Sequence, residues 1–180
     1  MSAHECGVPL ITCTPDAHAA AILDILNDAI VTSTAIYDYA PRAAQTMDAW
    51  FTAKAQGGYP VIGALSADGG LAGFASYGPF RARPAYKYSV EHSVYVRRDQ
   101  RGRGVGRALL LALIQNARTQ QYHTLIGGID AANAASRALH ERLGFVHAGT
   151  IRHASYKFGG WLDLAFYQLL LDTPASPTDG

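Results

Sequence analysis

The chain has 180 residues, 49% of them hydrophobic and 16% charged, with a formal net charge of +1 at pH 7. That length suits one domain with a substantial core, and so even a charge balance argues against a general nucleic-acid binder, which needs a clear basic excess. The apolar runs are too short to span a bilayer, and no positive region precedes an apolar core at the N-terminus, so no membrane partner and a cytoplasmic location are expected.

In chain order, a short strand is predicted at residues 11–13. Thr14-Pro15-Asp16 then starts a helix over residues 17–30, where Ile22, Leu26, Ala29 and Ile30 recur at helical spacing. Residues 31–40 are polar and β-branched and form a loop closed by Pro41. A second helix over 43–55 places Met47, Trp50 and Phe51 on one side and stops at Gly57-Gly58. Strands at 59–65 and 71–77 flank Ser66-Ala67-Asp68-Gly69-Gly70, whose composition is that of a hairpin turn. The next strand, 89–96, puts Val90, His92, Val94 and Val96 on one face and Glu91, Ser93 and Tyr95 on the other. A helix over 104–119 buries Leu109, Leu110, Leu113, Ile114 and Ala117 as a stripe. A strand at 124–129, a helix at 133–143 stopped by Gly144, and strands at 145–151 and 162–170 complete the set. No repeat or linker divides the chain, so a single domain over 8–172 is expected, with 173–180 a flexible C-terminal tail. Strands cluster around helices without regular alternation, which predicts a mixed α/β (α+β) fold around a partly antiparallel sheet.

Cys6 and Cys13 are the only cysteines and do not make a disulfide framework. His4 and Cys6 have no matching second pair, and His123, His140, His147 and His153 show no ligand spacing, so no metal is expected.

The most informative stretch joins the 89–96 strand to the 104–119 helix: Arg101-Gly102-Arg103-Gly104-Val105-Gly106-Arg107. A helix start offers free backbone N–H groups, and glycines let a phosphate approach them. The spacing excludes two common phosphate motifs. A P-loop needs Lys-Ser or Lys-Thr after its last glycine, and here Arg107-Ala108 follow. A dinucleotide fingerprint needs two residues before its third glycine, and here there is one. Arg101, Arg103 and Arg107 either offset phosphate charge or form a solvated cationic surface.

Arg101-x-x-Gly104-x-Gly106 resembles the acetyl-coenzyme A signature of the GNAT acetyltransferase superfamily, and the stretch from Asn133 to Phe145 is similar to its second coenzyme-contact segment. Within the superfamily, the chain looks most like the phosphinothricin and methionine sulfoximine N-acetyltransferases. The supporting stretches run from Asn27 to Tyr37, Gly78 to Tyr86, Val90 to Val96 and Lys157 to Asp163.

The resemblance implies a GNAT-like acyl-CoA N-acyltransferase fold in which two central parallel strands, 89–96 and 124–129, splay apart around the pantetheine arm of acetyl-CoA. It implies main-chain contacts from Val94 and Val96, and a pyrophosphate surrounded by Arg101, Gly102, Arg103, Gly104, Val105 and Gly106, with Arg107 beside them. Asn133, with Ser136 one turn on, would face the coenzyme arm, while an N-cap serves Asn133 equally well.

For the chemistry, the resemblance implies Glu91 as general base and the Val94 N–H as the group facing the thioester oxygen. His140 stands where many members carry a tyrosine; it is either a proton donor or a packed imidazole. Acceptor binding falls on Ser33, Thr34 and Ile36 and on the Arg81, Arg83, Tyr86, Tyr88 loop, whose arginines suit a substrate carboxylate. Lys157 and Trp161 either approach the acceptor or pack. The implied activity is transfer of acetyl from acetyl-CoA to the amine of a small amino acid or analogue, by a homodimer. The alternatives are a polyamine, an aminoglycoside or a protein N-terminus as acceptor, or a non-catalytic coenzyme-binding sensor.

Overall fold

The computed structural model describes residues 7–179; His4, Cys6 and Gly180 lie outside the described residues. Its frame is one seven-stranded sheet. In chain order the elements are β1 (Leu10–Thr12), α1 (Pro15–Thr32), α2 (Thr46–Gln56), β2 (Val61–Leu65), β3 (Leu71–Pro79), β4 (Ser89–Val96), α3 (Val105–Thr119), β5 (Thr124–Asp130), α4 (Ala134–Arg142), β6 (Val146–Lys157) and β7 (Gly160–Leu170). Short 3-10 turns at Pro84–Tyr86 and Arg98–Gln100 flank β4. The strands lie side by side in the order β1-β2-β3-β4-β5-β7-β6. β4 and β5 are parallel and the other neighbours antiparallel, so this is the mixed α/β sheet that the sequence predicts.

Two apolar clusters cover the two faces. On one face α3 buries Leu109, Leu110 and Leu113 completely, against Val90, Leu125, Ala165 and Tyr167. On the other, α1 and α2 bury Ile22, Leu26, Ile30, Met47 and Phe51 against Phe74. Each fully buried aliphatic side chain contributes roughly 1.5–3 kcal/mol. These layers fix β3 and β4, and with them one wall of the site described below.

Most boundaries fall within a residue or two of expectation; α2 begins three residues later than predicted, at Thr46. Thr14 takes the N-cap position without a side-chain cap bond; Pro15 supplies the start. The larger correction is at the C-terminal hairpin. β6 runs to Lys157 and β7 starts at Gly160, where the sequence predicted an end at 151 and a start at 162. Polar and exposed residues such as Arg152 and His153 hide the extension, and the pairing register shifts between Ile151 and Ser155. The two-residue turn has positive φ at Phe158 (52°) and Gly159 (78°), the geometry a tight hairpin of right-twisted strands needs.

Beyond β7, the Tyr88 hydroxyl accepts from the Thr178 backbone N–H at 3.1 Å. Among the described residues no helix is long and apolar enough to cross a membrane, and no group of His, Cys, Asp and Glu could hold a metal ion.

Candidate active site

The parallel pairing of β4 with β5 runs from Ser89–Thr124 to His92–Gly127 and stops. Beyond that point the strands part. Phe80 N donates to Ser89 O and Arg97 N donates to Ala72 O, so the odd-numbered residues of β4 bond to β3. The even-numbered residues therefore turn their backbone N–H and C=O groups the other way. At Tyr88 the carbonyl does accept from the β5 side. At Val94 and Val96 the groups face the opened gap. A polar arm laid along this edge can bond to them as an added strand would.

The gap is the centre of a cleft of about 1480 Å³, room for a ligand larger than an ordinary metabolite. One end is the glycine turn. Gly102 (φ 74°) and Gly104 (φ 81°) are left-handed, and Gly104 is the N-cap of α3. A side chain at either would be strained. At Gly106 an added Cβ would stand 3.4 Å from Leu139 and 3.7 Å from Val96, narrowing the cleft at its wall. Arg101 folds back so that Nε donates to Val96 O at 3.3 Å. Arg101, Arg103 and Arg107 take part in none of the ion pairs found among the described residues. This is a cradle of helix-start N–H groups under uncompensated positive charge, suited to a pyrophosphate. Together with the edge of β4 that β5 leaves open, it fits a nucleotide coenzyme with an amide-bearing arm. Val94, Val96, Arg101, Gly102, Gly104, Val105, Gly106 and Arg107 line the cleft, whereas Arg103 does not.

Across the gap, Asn133 caps α4 by accepting from Ser136 N at 3.0 Å, and both residues line the cleft. The cap uses the Asn133 carbonyl oxygen, which leaves its amide group to a ligand. His140, one turn beyond Ser136, is buried. Its Nδ1 lies 2.7 Å from Ser136 O and its Nε2 lies 2.8 Å from Nε2 of His92. One assignment satisfies both contacts: His140 Nδ1–H donates to Ser136, and His92 Nε2–H donates to a neutral His140. Burial pushes both imidazoles below their ordinary pKa, and at His92 the neighbouring His140 adds to that. The pair is uncharged at neutral pH.

Glu91 reaches the cleft from the opposite face of β4 to His92. A Cβ built on Gly128 would lie 3.2 Å from Glu91 Oε1, so the carboxyl stands over the first residue of β5 beyond the pairing. Burial raises its pKa, and the Arg81 charge partly offsets this. A half-buried carboxylate with a raised pKa at a cleft is poised to accept a proton.

Ser33, Thr34 and Ile36 also line the cleft. The structure does not bring Arg81, Arg83, Tyr86, Tyr88, Lys157 or Trp161 to its wall. Arg81 and Arg83 are exposed, and Arg81 lies over the Phe80 ring at 4.1 Å. Trp161 is exposed and stacks with His153. Lys157 is buried, and its ammonium donates to the carbonyls of Ile30 (2.7 Å), Ser33 (3.0 Å) and Ile36 (2.5 Å). It ties the end of α1 and the loop after it to the C-terminal hairpin.

Two polar cleft residues escaped the sequence reading, and a third, Tyr37, was named only as the end of the 33–37 loop to which the resemblance gives acceptor binding. His92 has the periodicity of a core position. Asp130 lies just past the predicted strand end, in a segment that reads as a turn, and Tyr37 is one polar residue of a polar loop. Only contacts between distant segments, such as Thr34 Oγ1 donating to Asp130 Oδ2, bring the last two into the site.

Comparison with known proteins follows the same lines. Residues 21–145 match the acetyltransferase (GNAT) family. The chain is 48% identical over 155 residues to the L-methionine sulfoximine/L-methionine sulfone acetyltransferase of Pseudomonas paraeruginosa, covering 86% of this chain and 90% of that one. A solved structure from Acinetobacter baylyi superposes with a TM-score of 0.94 at 55% identity, over 96% of this chain and 98% of that one. A phosphinothricin acetyltransferase from Sinorhizobium meliloti, solved in complex with acetyl-CoA, superposes with a TM-score of 0.91 at 33% identity, over 96% and 94% of the two chains.

Proposed function

The chain belongs to the GNAT acetyltransferase family, and from that premise we propose that it acetylates the amine of a small amino acid or analogue of the methionine sulfoximine, methionine sulfone or phosphinothricin type. The observation that carries this reading is the parting of β4 from β5 after His92–Gly127, which opens a polar strand edge between the glycine turn and Glu91. The relative from Pseudomonas paraeruginosa and the structure from Sinorhizobium meliloti are named for these acceptors and cover nearly all of this chain.

Acetyl-CoA, when bound, supplies an activated acetyl thioester. Val94 and Val96 would hold the arm through main-chain bonds, and the turn from Arg101 to Arg107 would hold the pyrophosphate. Asn133 and Ser136 close the other wall. Glu91 takes a proton from the acceptor ammonium, directly or through water, freeing the nitrogen lone pair. The Val94 N–H would face the thioester oxygen where negative charge collects as the nitrogen–carbon bond forms; the carbon–sulfur bond then breaks, and coenzyme A leaves as a thiolate that takes up the second proton lost by the acylated nitrogen. His140, neutral and bonded at both nitrogens, fixes α4 against β4.

The acceptor enters from the face of Glu91, beside residues 33–37. Arg81 is the cation that acts on Glu91, and with Arg83 it would meet the acceptor's carboxylate once the loop closes on a ligand. The protein works as a homodimer: Tyr39, Tyr156, Phe158 and Trp161 are 77%, 47%, 63% and 61% exposed around the β6–β7 hairpin, an aromatic patch suited to an interface.

A screen of acetyl-CoA turnover across methionine sulfoximine, methionine sulfone, phosphinothricin, polyamines, an aminoglycoside and short peptides tests the reading. Turnover on the amino-acid analogues is expected. Preference for a polyamine or peptide would overturn the acceptor class, and coenzyme binding without turnover on any acceptor would favour a sensor.

A further inference from the structure

The acceptor side of the cleft contains a polar cluster that the chemistry above does not use. Asp130 is only 8% exposed and still lines the cleft. Its Oδ2 accepts from Thr34 Oγ1 and its Oδ1 accepts from Ala132 N at 3.0 Å. It takes part in none of the ion pairs among the described residues. The buried ammonium of Lys157, at the end of β6, is engaged by the carbonyls of Ile30, Ser33 and Ile36. Within reach of the Asp130 charge, the Tyr37 hydroxyl lies against that of Ser155, and both oxygens are closed to solvent with no hydrogen bond of full geometry. Burial first, and then the Asp130 charge, raise the pKa of Tyr37 against a smaller lowering by the Ser155 hydroxyl, so the Tyr37 hydroxyl keeps its proton as a donor.

The position of this cluster relative to Glu91 gives it a use. Gly128 lies under the Glu91 carboxyl. Asp130, two residues on, projects from the same face of β5, about 6–7 Å further along. In methionine sulfoximine four bonds separate the amine nitrogen from the sulfur, a reach of about 5 Å when extended. An acceptor whose amine meets Glu91 therefore carries its side-chain head group to Asp130 and Tyr37.

We propose that Asp130 and Tyr37 read the acceptor's head group and select a neutral, oxygen-bearing one over an anionic one. The inference rests on the amino-acid acceptor proposed above and narrows it. A sulfoximine is complementary on both sides: its oxygen accepts from the Tyr37 hydroxyl, and its N–H donates to the Asp130 carboxylate. A sulfone keeps the first bond and loses the second. A phosphinate brings a negative charge against a shielded carboxylate, which costs far more than in water.

The test compares kcat/KM for methionine sulfoximine, methionine sulfone and phosphinothricin in the wild type, Asp130→Asn and Tyr37→Phe, with acetyl-CoA affinity measured in each. The wild type should rank them in that order. Asp130→Asn removes the charge at nearly constant shape and should raise phosphinothricin relative to methionine sulfoximine by roughly tenfold or more. Tyr37→Phe should lower the sulfoximine and the sulfone relative to methionine by roughly fivefold or more, and it decides the matter alone if Asp130→Asn does not fold. Variants that bind the coenzyme normally and change every acceptor by one common factor would overturn the selection while leaving the amino-acid reading in place. A wild type that acetylates none of these compounds but does acetylate another amine would overturn both.

Discussion

In the proposed mechanism each of two residues carries a separate half of the chemistry. Gly104 belongs to coenzyme binding: its left-handed φ of 81° at the N-cap of α3 resists any side chain. Gly104→Val should raise the KM for acetyl-CoA roughly tenfold or more, and unchanged coenzyme affinity in a folded variant would remove the turn from the site. Glu91 belongs to proton transfer. A base works only when ionised, and burial raises the Glu91 pKa above its ordinary 4.5. Activity should therefore fall, as pH drops, through a limb centred above the usual carboxylate range. Glu91→Gln should abolish that limb and slow turnover by roughly 10²–10⁴ with coenzyme affinity unchanged. Full turnover near neutral pH would exclude Glu91 from the mechanism. The glycine turn was legible in the sequence because its residue types are themselves the chemistry. Glu91 was legible only by resemblance, since alternation puts it on the face opposite His92 without saying what that face meets. The neutral His92–His140 pair was not legible: residues 48 apart in sequence meet only in the folded sheet.

Among the elements, the decisive feature is where β4 and β5 stop pairing. Periodicity shows that residues 89–96 and 124–129 are strands but says nothing of where a parallel pair ends, so the splay came from resemblance and its position, after His92–Gly127, from the structure. The β6–β7 hairpin was half legible: its last third is polar on both faces and contains a register shift. That missed third includes Lys157, for which the sequence left open an approach to the acceptor or packing, and which the structure buries beneath the loop after α1. Lys157→Met leaves three buried carbonyls without their donor. It should lower the melting temperature by roughly 5–10 °C. It should also raise the acceptor KM several-fold, with acetyl-CoA affinity held within about twofold. An unchanged acceptor KM would reduce Lys157 to a purely structural anchor.

For the whole molecule, the fold class followed from strands clustered among helices, and the structure bears it out as a seven-stranded mixed sheet. A homodimer was expected only by resemblance, because an exposed aromatic and a buried one look alike in sequence. The patch of Tyr39, Tyr156, Phe158 and Trp161 predicts a dimer in sedimentation at micromolar concentration, weakened by Trp161→Glu; a clean monomer would exclude a stable one. The central claim concerns what the assembled cleft acetylates, and it is tested most directly by comparing two acceptors that differ at one group. Coenzyme A release should be measured with methionine sulfoximine and with its carboxamide, which lacks the charge proposed to meet Arg81 and Arg83. The account predicts a kcat/KM at least tenfold higher for the acid, with Arg81→Ala/Arg83→Ala narrowing the difference. Equal kcat/KM for acid and amide, or turnover of neither, would contradict it.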